Sequence, residues 1–478
     1  MLSQSSAPLV NALVDCAHRY HAAFYTPGHK GGRGISLLHR TVFGDDIFRV
    51  DVPELPELDD LLAPEAVILA AQQLAAEAFG AEQTWFLVNG STCGVEAALL
   101  ATCGPGDKVL VPRNAHQSVL SGLILSGAMP VWIAPVYDSD WQLALGVTAS
   151  AIATALDQHP DAKAVMVVSP TYEGVCSDIA AIAKVVHVYD IPLLVDAAHG
   201  PHFAFHDRLP PSALSGGADV VIHSAHKVLA AFTQAALMHV QGTRCYRNRL
   251  TQALRMTQSS SPSYLLLGSL DAARHQMVHQ GKALMEHTLA LAHSARCQLD
   301  RHLAILDVSQ GDVFQQDLTR LTVDVSALGT TGFAADIWLH GRGVTAELPT
   351  LHQLTFIISL GSSADDIARL VQELKQVPAT ERIAPWQQVC LELPVSGASP
   401  RSAFFAPTVI CAVEDAIGCL SADVVCIYPP GIPQLMPGEV ITEPVIQTLR
   451  TAQAAGAHLS GLSDPTFQTL RILQPGAV

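Results

Sequence analysis

The chain has 478 residues, of which 49% are hydrophobic and only 15% charged, and its 43 acidic residues against 27 Lys and Arg give a formal charge of −16. This balance excludes disorder, provides for more than one buried core and opposes a phosphate backbone, so no nucleic-acid partner is expected. No uncharged apolar run reaches the roughly 18 residues a membrane helix needs, so no membrane span is expected.

The N-terminal stretch MLSQSSAPLVNALVDCAHRY has no basic region ahead of a long apolar one and contains Asp15, unlike a secretory or transit signal. Ten scattered cysteines with no C-x-x-C pair point to a reducing cytoplasm, with neither a disulfide framework nor a metal site. From about residue 84 onward, short apolar runs alternate with helical patterns. A strand over 84–88 is followed by a Gly-Ser-Thr turn at 90–92 and an apolar helix that Gly104 and Pro105 stop. Further strands are predicted over 108–111, 131–134, 164–168, 192–196 and 219–223. Their continuous hydrophobicity implies burial on both faces, hence an α/β fold with a mostly parallel sheet flanked by helices. A long helix over about 264–299, strands over 320–326 and 354–360 and an amphipathic helix over 365–375 predict a smaller α+β domain. VPATERIAP (377–385) reads as a linker, and YPPGIPQLMPGE (428–439) as a constrained loop in a C-terminal domain. The expected division is an N-terminal segment at 1–55, a large domain at 56–255, the small domain at 256–378 and the C-terminal domain at 379–478.

The polar residues that interrupt the apolar pattern gather at strand ends, where ligands of such sheets bind. Gly90, Ser91 and Thr92 lie between a strand and a helix, where backbone amides and hydroxyls form an anion cradle, although a Ser or Thr there also serves as a plain helix cap. Asp196 ends the apolar strand LLVD, a position that demands a cation or hydrogen bonds, as in a structural salt bridge or a ligand contact. Lys227, in SAHK ahead of the uncharged VLAAFTQAALMHV, suits a desolvated amine for Schiff-base chemistry or a lysine whose stem packs and whose amine reaches water. His116, after KVLVPRNA, could lie against an aromatic ring or simply satisfy local hydrogen bonds. Together, a phosphate cradle, a strand-end carboxylate and a lysine on one sheet edge are the three contacts that pyridoxal phosphate (PLP) requires.

The sequence resembles the Orn/Lys/Arg decarboxylase family of PLP enzymes with the aspartate-aminotransferase-like (type I) fold. The resemblance rests on YTPGHKGG (25–32), ELDDLLAPE (57–65), FLVNGST (86–92), PRNAHQS (112–118), PTYEGVCSD (170–178), LLVDAAHGPHF (193–203), HSAHKVLAAFTQ (223–234), SPSYLLLGSLDAAR (261–274), TAELPTLHQLTFIISLG (345–361) and YPPGIPQLMPGE (428–439), in order along nearly the whole chain. It resembles the shorter members, without an N-terminal wing domain. It implies that the large domain binds PLP, with Lys227 as the Schiff-base residue, Asp196 at the pyridine nitrogen and His116 stacked on the ring. Gly90, Ser91, Thr92, Ser224 and His226 are then cofactor contacts, and His199 flanks the cofactor. Lys227 or His226 would return the proton at Cα. SSSPSY (259–264), with Ser260 and Ser261, resembles a stretch that approaches the cofactor of a partner subunit, which implies a homodimer or larger homo-oligomer.

The reaction implied is decarboxylation of a basic amino acid to its amine, as in polyamine biosynthesis, with arginine favoured, lysine second and ornithine third. Glu347, Asp423 and Glu439 are the acids in family-like segments that could meet a basic head group. The sequence departs from the family pattern at Ala197, Ala225, Gln117, His223, Cys419 and Asp423. These departures leave open another PLP reaction on the same fold, such as an aminotransferase or β-lyase, or a catalytically weak PLP-binding paralogue.

Overall fold

A computed structural model describes residues 3–19, 22–309, 311, 313–379, 393–428 and 431–477. Helix α1 (Pro8–His18) and helix α2 (Val67–Phe79) precede strand β1 (Gln83–Leu87). The start of α2 is capped from a distance. Asp59 Oδ2 accepts the amides of Ala66 and Ile68 at 2.7 and 3.1 Å, satisfying donors that the first turn leaves open. Helix α3 (Gly90–Thr102), strand β2 (Lys108–Pro112), helix α4 (Gln117–Ser126), strand β3 (Met129–Ile133) and strand β4 (Ala164–Val168) follow. Next come strand β5 (Leu193–Asp196), strand β6 (Val220–His223), the single turn α5 (Ala225–Val228), strand β7 (Ala236–Val240) and the long helix α6 (Tyr264–Leu299). None of the described helices is long and apolar enough to cross a membrane.

The chain divides into two compact units, residues 1–101 with 195–286 and residues 102–194 with 287–478. In the first, β7 pairs antiparallel with β1 on one side and β6 on the other. The Ala197 amide, just past β5, donates to Ile222 O of β6 at 2.9 Å. Every residue of β6 and β7 is buried, as the unbroken apolar runs require. Helix α3 approaches this sheet closely because of Gly94. A Cβ there would stand 2.8 Å from Leu87 Cδ1 and 3.0 Å from Ile222 Cγ2.

In the second unit, β2 runs parallel to both β3 and β4. Strands β8 (Ala304–Ile305), β9 (Arg320–Asp324), β10 (Leu348–Pro349) and β11 (Gln353–Ile357) form an antiparallel sheet in the order β8-β9-β11-β10. Helix α7 (Ala364–Leu374) opens with a capping box between Ser363 and Asp366. Its buried Ile367, Leu370, Val371 and Leu374 recur at helical spacing, and each contributes about 1.5–3 kcal/mol by leaving water. The C-terminal part pairs β12 (Thr408–Ala412) with β16 (Thr469–Leu473), and sets β13 (Val425–Tyr428) between β14 (Ile432–Leu435) and β15 (His458–Ser460).

The structure modifies four expectations. Gly90, Ser91 and Thr92 form the first turn of α3 rather than a turn before it. The sheet is mixed, because β7, which the sequence reading passed over, adds two antiparallel pairs. Residues 428 and 432–435 of the expected loop belong to the β13–β14 hairpin, where Pro433 is tolerated because β14 is an edge strand; Pro429 and Pro430 lie outside the described residues. The expected linker begins at Val377, which is buried in the small-domain core, and its residues 380–385 also lie outside the description.

Candidate active site

The cradle forms where β1 ends and α3 begins. Gly90 takes φ +76, a left-handed conformation that glycine adopts without steric cost. A Cβ added there would find one atom within reach, Gln234 O at 4.0 Å, so the space before the helix is open. The amides of a helix's first turn lack partners within the helix, and its dipole favours an anion there. Ser224 Oγ donates to Ser91 Oγ at 2.8 Å, which leaves the Ser91 hydroxyl its own hydrogen for an incoming acceptor. Thr92 is exposed on the same turn.

Lys227 and His226 lie on α5, directly after β6. Lys227 Nζ is 2.8 Å from His199 Nε2, and both residues belong to the first unit. Lys227 is half-buried while His199 is 3% exposed, so the amine faces a sheltered imidazole and retains access. Asp196 is 6% exposed, and its Oδ1 accepts the Ala198 amide at 3.1 Å. That bond fixes the direction of a carboxylate whose burial calls for a cation. His226 Nδ1 lies 3.1 Å from Ala235 O. A carbonyl can only accept, so the neutral ring carries its proton on Nδ1 and presents Nε2 as the lone-pair nitrogen. Cradle, carboxylate and amine thus fit a small phosphorylated aromatic cofactor with a basic ring nitrogen and an aldehyde.

In the second unit, His116 N-caps α4. Its Nδ1 accepts the Ser118 amide at 3.1 Å, so a neutral ring holds its proton on Nε2 and its orientation is fixed. Arg113, three residues earlier, is buried. It donates to Pro433 O at 2.6 Å and Gln434 O at 3.1 Å, and lies 3.3 Å from Glu439 Oε2. Burial pushes the Glu439 carboxyl above its ordinary range against the pull of Arg113. Glu439 also accepts the Met436 amide at 2.9 Å. Asp423, likewise buried, accepts the Arg471 amide at 3.0 Å and sits 3.5 Å from the Arg471 guanidinium. Of the three acids considered for a substrate head group, two are therefore engaged inside their own unit, whereas Glu347 is exposed.

Ser259 donates its amide to Asn89 Oδ1 at 3.2 Å, which brings SSSPSY to the cradle of its own chain, with Ser260 and Ser261 exposed beside it. The sequence reading missed Gln234 and Gln258, which bond the two backbone groups of Val88. Both adjoin or lie within the quoted segments, yet a glutamine gives no periodic or charge signal. It also missed the pairing of His223 with His239, Nδ1 to Nε2 at 3.1 Å.

Comparison with known proteins identifies the family. The family profile described as Orn/Lys/Arg decarboxylase, major domain, matches residues 7–320, and that of the C-terminal domain matches residues 393–469. The chain is 37% identical to an arginine decarboxylase of Bacillus subtilis over 99% of each chain, and 37% identical to one of Bacillus anthracis over 99% of this chain and 98% of that one. Among solved structures, lysine decarboxylase A of Pseudomonas aeruginosa superposes with a TM-score of 0.84 at 24% identity, covering 98% of this chain and 80% of that one. The constitutive lysine decarboxylase of Escherichia coli gives 0.83 at 21%, covering 98% and 82%. These structures share the α/β fold expected from the sequence, and the chain belongs to the Orn/Lys/Arg decarboxylase family of PLP-dependent enzymes that decarboxylate basic amino acids.

Proposed function

We propose that this chain binds PLP in its first unit and decarboxylates arginine to the corresponding amine, with lysine the second substrate and ornithine the third. The contact of Lys227 Nζ with His199 Nε2 at 2.8 Å, in the unit that also holds buried Asp196 and the cradle, carries the reading. What supports arginine is the 37% identity over 99% of the chain to proteins named arginine decarboxylase, against 31% over 60% for a Pseudomonas lysine decarboxylase.

When bound, PLP supplies an electron sink for the pair released as the bond from Cα to the carboxylate breaks. Lys227 holds the cofactor through Nζ, and His199 Nε2 accepts a proton from that amine to make it nucleophilic. Asp196 would serve the ring nitrogen and keep a proton there. The first-turn amides of α3, with the Ser91 and Thr92 hydroxyls, would bind the phosphate, Ser224 orienting Ser91 through its own hydrogen bond and His226 joining once Nε2 is protonated. The family resemblance gives His116, whose ring is held by its cap to Ser118, the ring-stacking role. Lys227 Nζ would return a proton to Cα, which balances the loss of CO₂, and His226 could do so only after taking up a proton on Nε2.

Glu347 is the acid proposed for the guanidinium. At Glu439 an arriving cation would meet Arg113, and Asp423 is already shared with Arg471. Exposed Ser260 and Ser261 beside the cradle suit a homodimer whose subunits meet at the site. A cytoplasmic enzyme supplying polyamine synthesis completes the proposal. The test is an amine-product assay on arginine, lysine and ornithine with PLP, together with borohydride reduction and peptide mapping. The expected result is amine and CO₂, fastest with arginine, and label on Lys227. A keto acid without CO₂, or label on another lysine, would overturn the reading.

A further inference from the structure

Two glutamine side chains seize the backbone of Val88, the residue between β1 and the cradle. Gln258 Oε1 accepts the Val88 amide at 2.9 Å, and Gln234 Nε2 donates to Val88 O at 2.6 Å. The orientation of each amide is unambiguous, because a backbone N–H only donates and a carbonyl only accepts. Gln234 pays for its place with φ +84, an uncommon conformation for a residue with a Cβ. Such a conformation persists where surrounding contacts over-determine it. The contacts here are clear: Gln234 O is the atom nearest to where a Gly90 Cβ would be, and the next residue, Ala235, accepts both the amide and the ring Nδ1 of His226. One short stretch thus touches Val88, faces Gly90 and holds the residue beside Lys227.

We infer that Gln234 is a positioning residue that couples the Lys227 turn to the phosphate cradle, with Gln258 fixing the opposite side of Val88. This rests on the reading of the cradle as the PLP phosphate site. Without these two bonds, the Val88 peptide groups have left the β1 ladder and the start of α3 loses its anchor. Gln234 acts on the cofactor through the geometry of Gly90–Thr92 and touches no reacting atom.

The chemistry of the two amides supplies the experiment. Gln234→Glu keeps shape and backbone but replaces the donor with an anion against a carbonyl oxygen. Gln258→Glu keeps an acceptor for the Val88 amide and adds the same charge. PLP affinity is measured by titrating cofactor-stripped protein, and hydrogen exchange of residues 88–94 is followed in the same samples. Gln234→Glu is expected to weaken PLP binding about ten- to a hundredfold and to speed exchange at the cradle, whereas Gln258→Glu stays within about threefold of wild type. Gln258→Leu, which removes the acceptor, should behave like Gln234→Glu. Equal losses in the two Glu variants would mean that charge alone acts, and unchanged exchange in Gln234→Glu would mean there is no anchor; either overturns the inference. If the wild type binds no PLP, the functional reading fails, and the exchange data still decide whether Gln234 orders the cradle.

Discussion

Strand β6 serves two nitrogen pairs of nearly equal spacing and opposite character. Past its end, Lys227 Nζ and His199 Nε2 are 2.8 Å apart; from within it, His223 Nδ1 reaches His239 Nε2 at 3.1 Å. Ile222 faces α3 across Gly94, while His223, on the opposite face by strand alternation, has its ring 5.6 Å from Phe79 of α2. Lys227 is half-buried on the turn that follows Ser224, in the unit that also holds Asp196 and the cradle. The histidine pair is sealed, with His239 Nδ1 bonded to Thr84 Oγ1 at 2.7 Å. Burial pushes His239 down to about 3 and His223 well below its ordinary value, so both rings are neutral at neutral pH. Burial of basic groups alone therefore does not make a reaction site; access, an opposing charge and an anion cradle must coincide.

Removing the amine breaks one side of this comparison only. Lys227→Ala should lower kcat by at least about a thousandfold and abolish borohydride labelling, while its thermal midpoint stays close to wild type because the side chain is half-buried. Retained labelling or turnover would reassign the Schiff base. Asp196→Asn comes next. It keeps the shape and an acceptor for the Ala198 amide but loses the charge proposed to serve the ring nitrogen. A charge-assisted bond worth about 1.5–3 kcal/mol corresponds to one to two decades of kcat. Full activity in a folded Asp196→Asn protein would reject the electronic role.

These candidate site residues were legible because each breaks a strong local pattern. A carboxylate that closes LLVD and a lysine ahead of thirteen uncharged residues stand out against apolar surroundings. The long helix was legible as well, since an uninterrupted pattern over 264–299 has few alternatives. Strand β7 was not, because ALMHV follows a run with no turn residue to mark its start, and its identity depends on pairing with β1 and β6. The engagement of Glu439 with Arg113 was equally hidden, joining residues 326 apart in sequence. Acids such as these carry no mark in the sequence that separates a substrate contact from an internal ion pair.

Gly94 tests the α3 face of β6. Gly94→Ala would place its Cβ against Leu87 and Ile222, and such overpacking costs about 1–3 kcal/mol. Because α3 carries the cradle at its start, PLP affinity should fall along with the denaturant midpoint, and turnover at saturating PLP should drop only a few-fold. An unchanged midpoint and affinity would show that the helix shifts without consequence for the cradle.

The other face of β6 should respond to acid and leave turnover nearly untouched. His223 and His239 are held below the ordinary 6.5 of histidine in the folded chain, chiefly by burial, with His239 and His202 adding to the depression at His223. Thr84 is the hydrogen-bonding neighbour from β1, and Phe79 and Phe205 close the packing without charge. Between 6.5 and the folded values, the unfolded chain binds protons that the folded chain does not. The stability these residues confer is therefore complete above 6.5 and lost as pH falls below it, towards about 3 for His239. Each fully contributing histidine steepens the loss by about 1.4 kcal/mol per pH unit. Denaturant midpoints taken every half unit from pH 8 to pH 5 should show the wild type falling below 6.5, and His223→Gln/His239→Gln falling less steeply. At pH 8 the double variant should decarboxylate within about threefold of wild type, since neither ring belongs to the cradle or to the Lys227 contact. A parallel acid slope would remove the pair as its cause, and a large loss of turnover at pH 8 would show that the two faces of β6 are not independent.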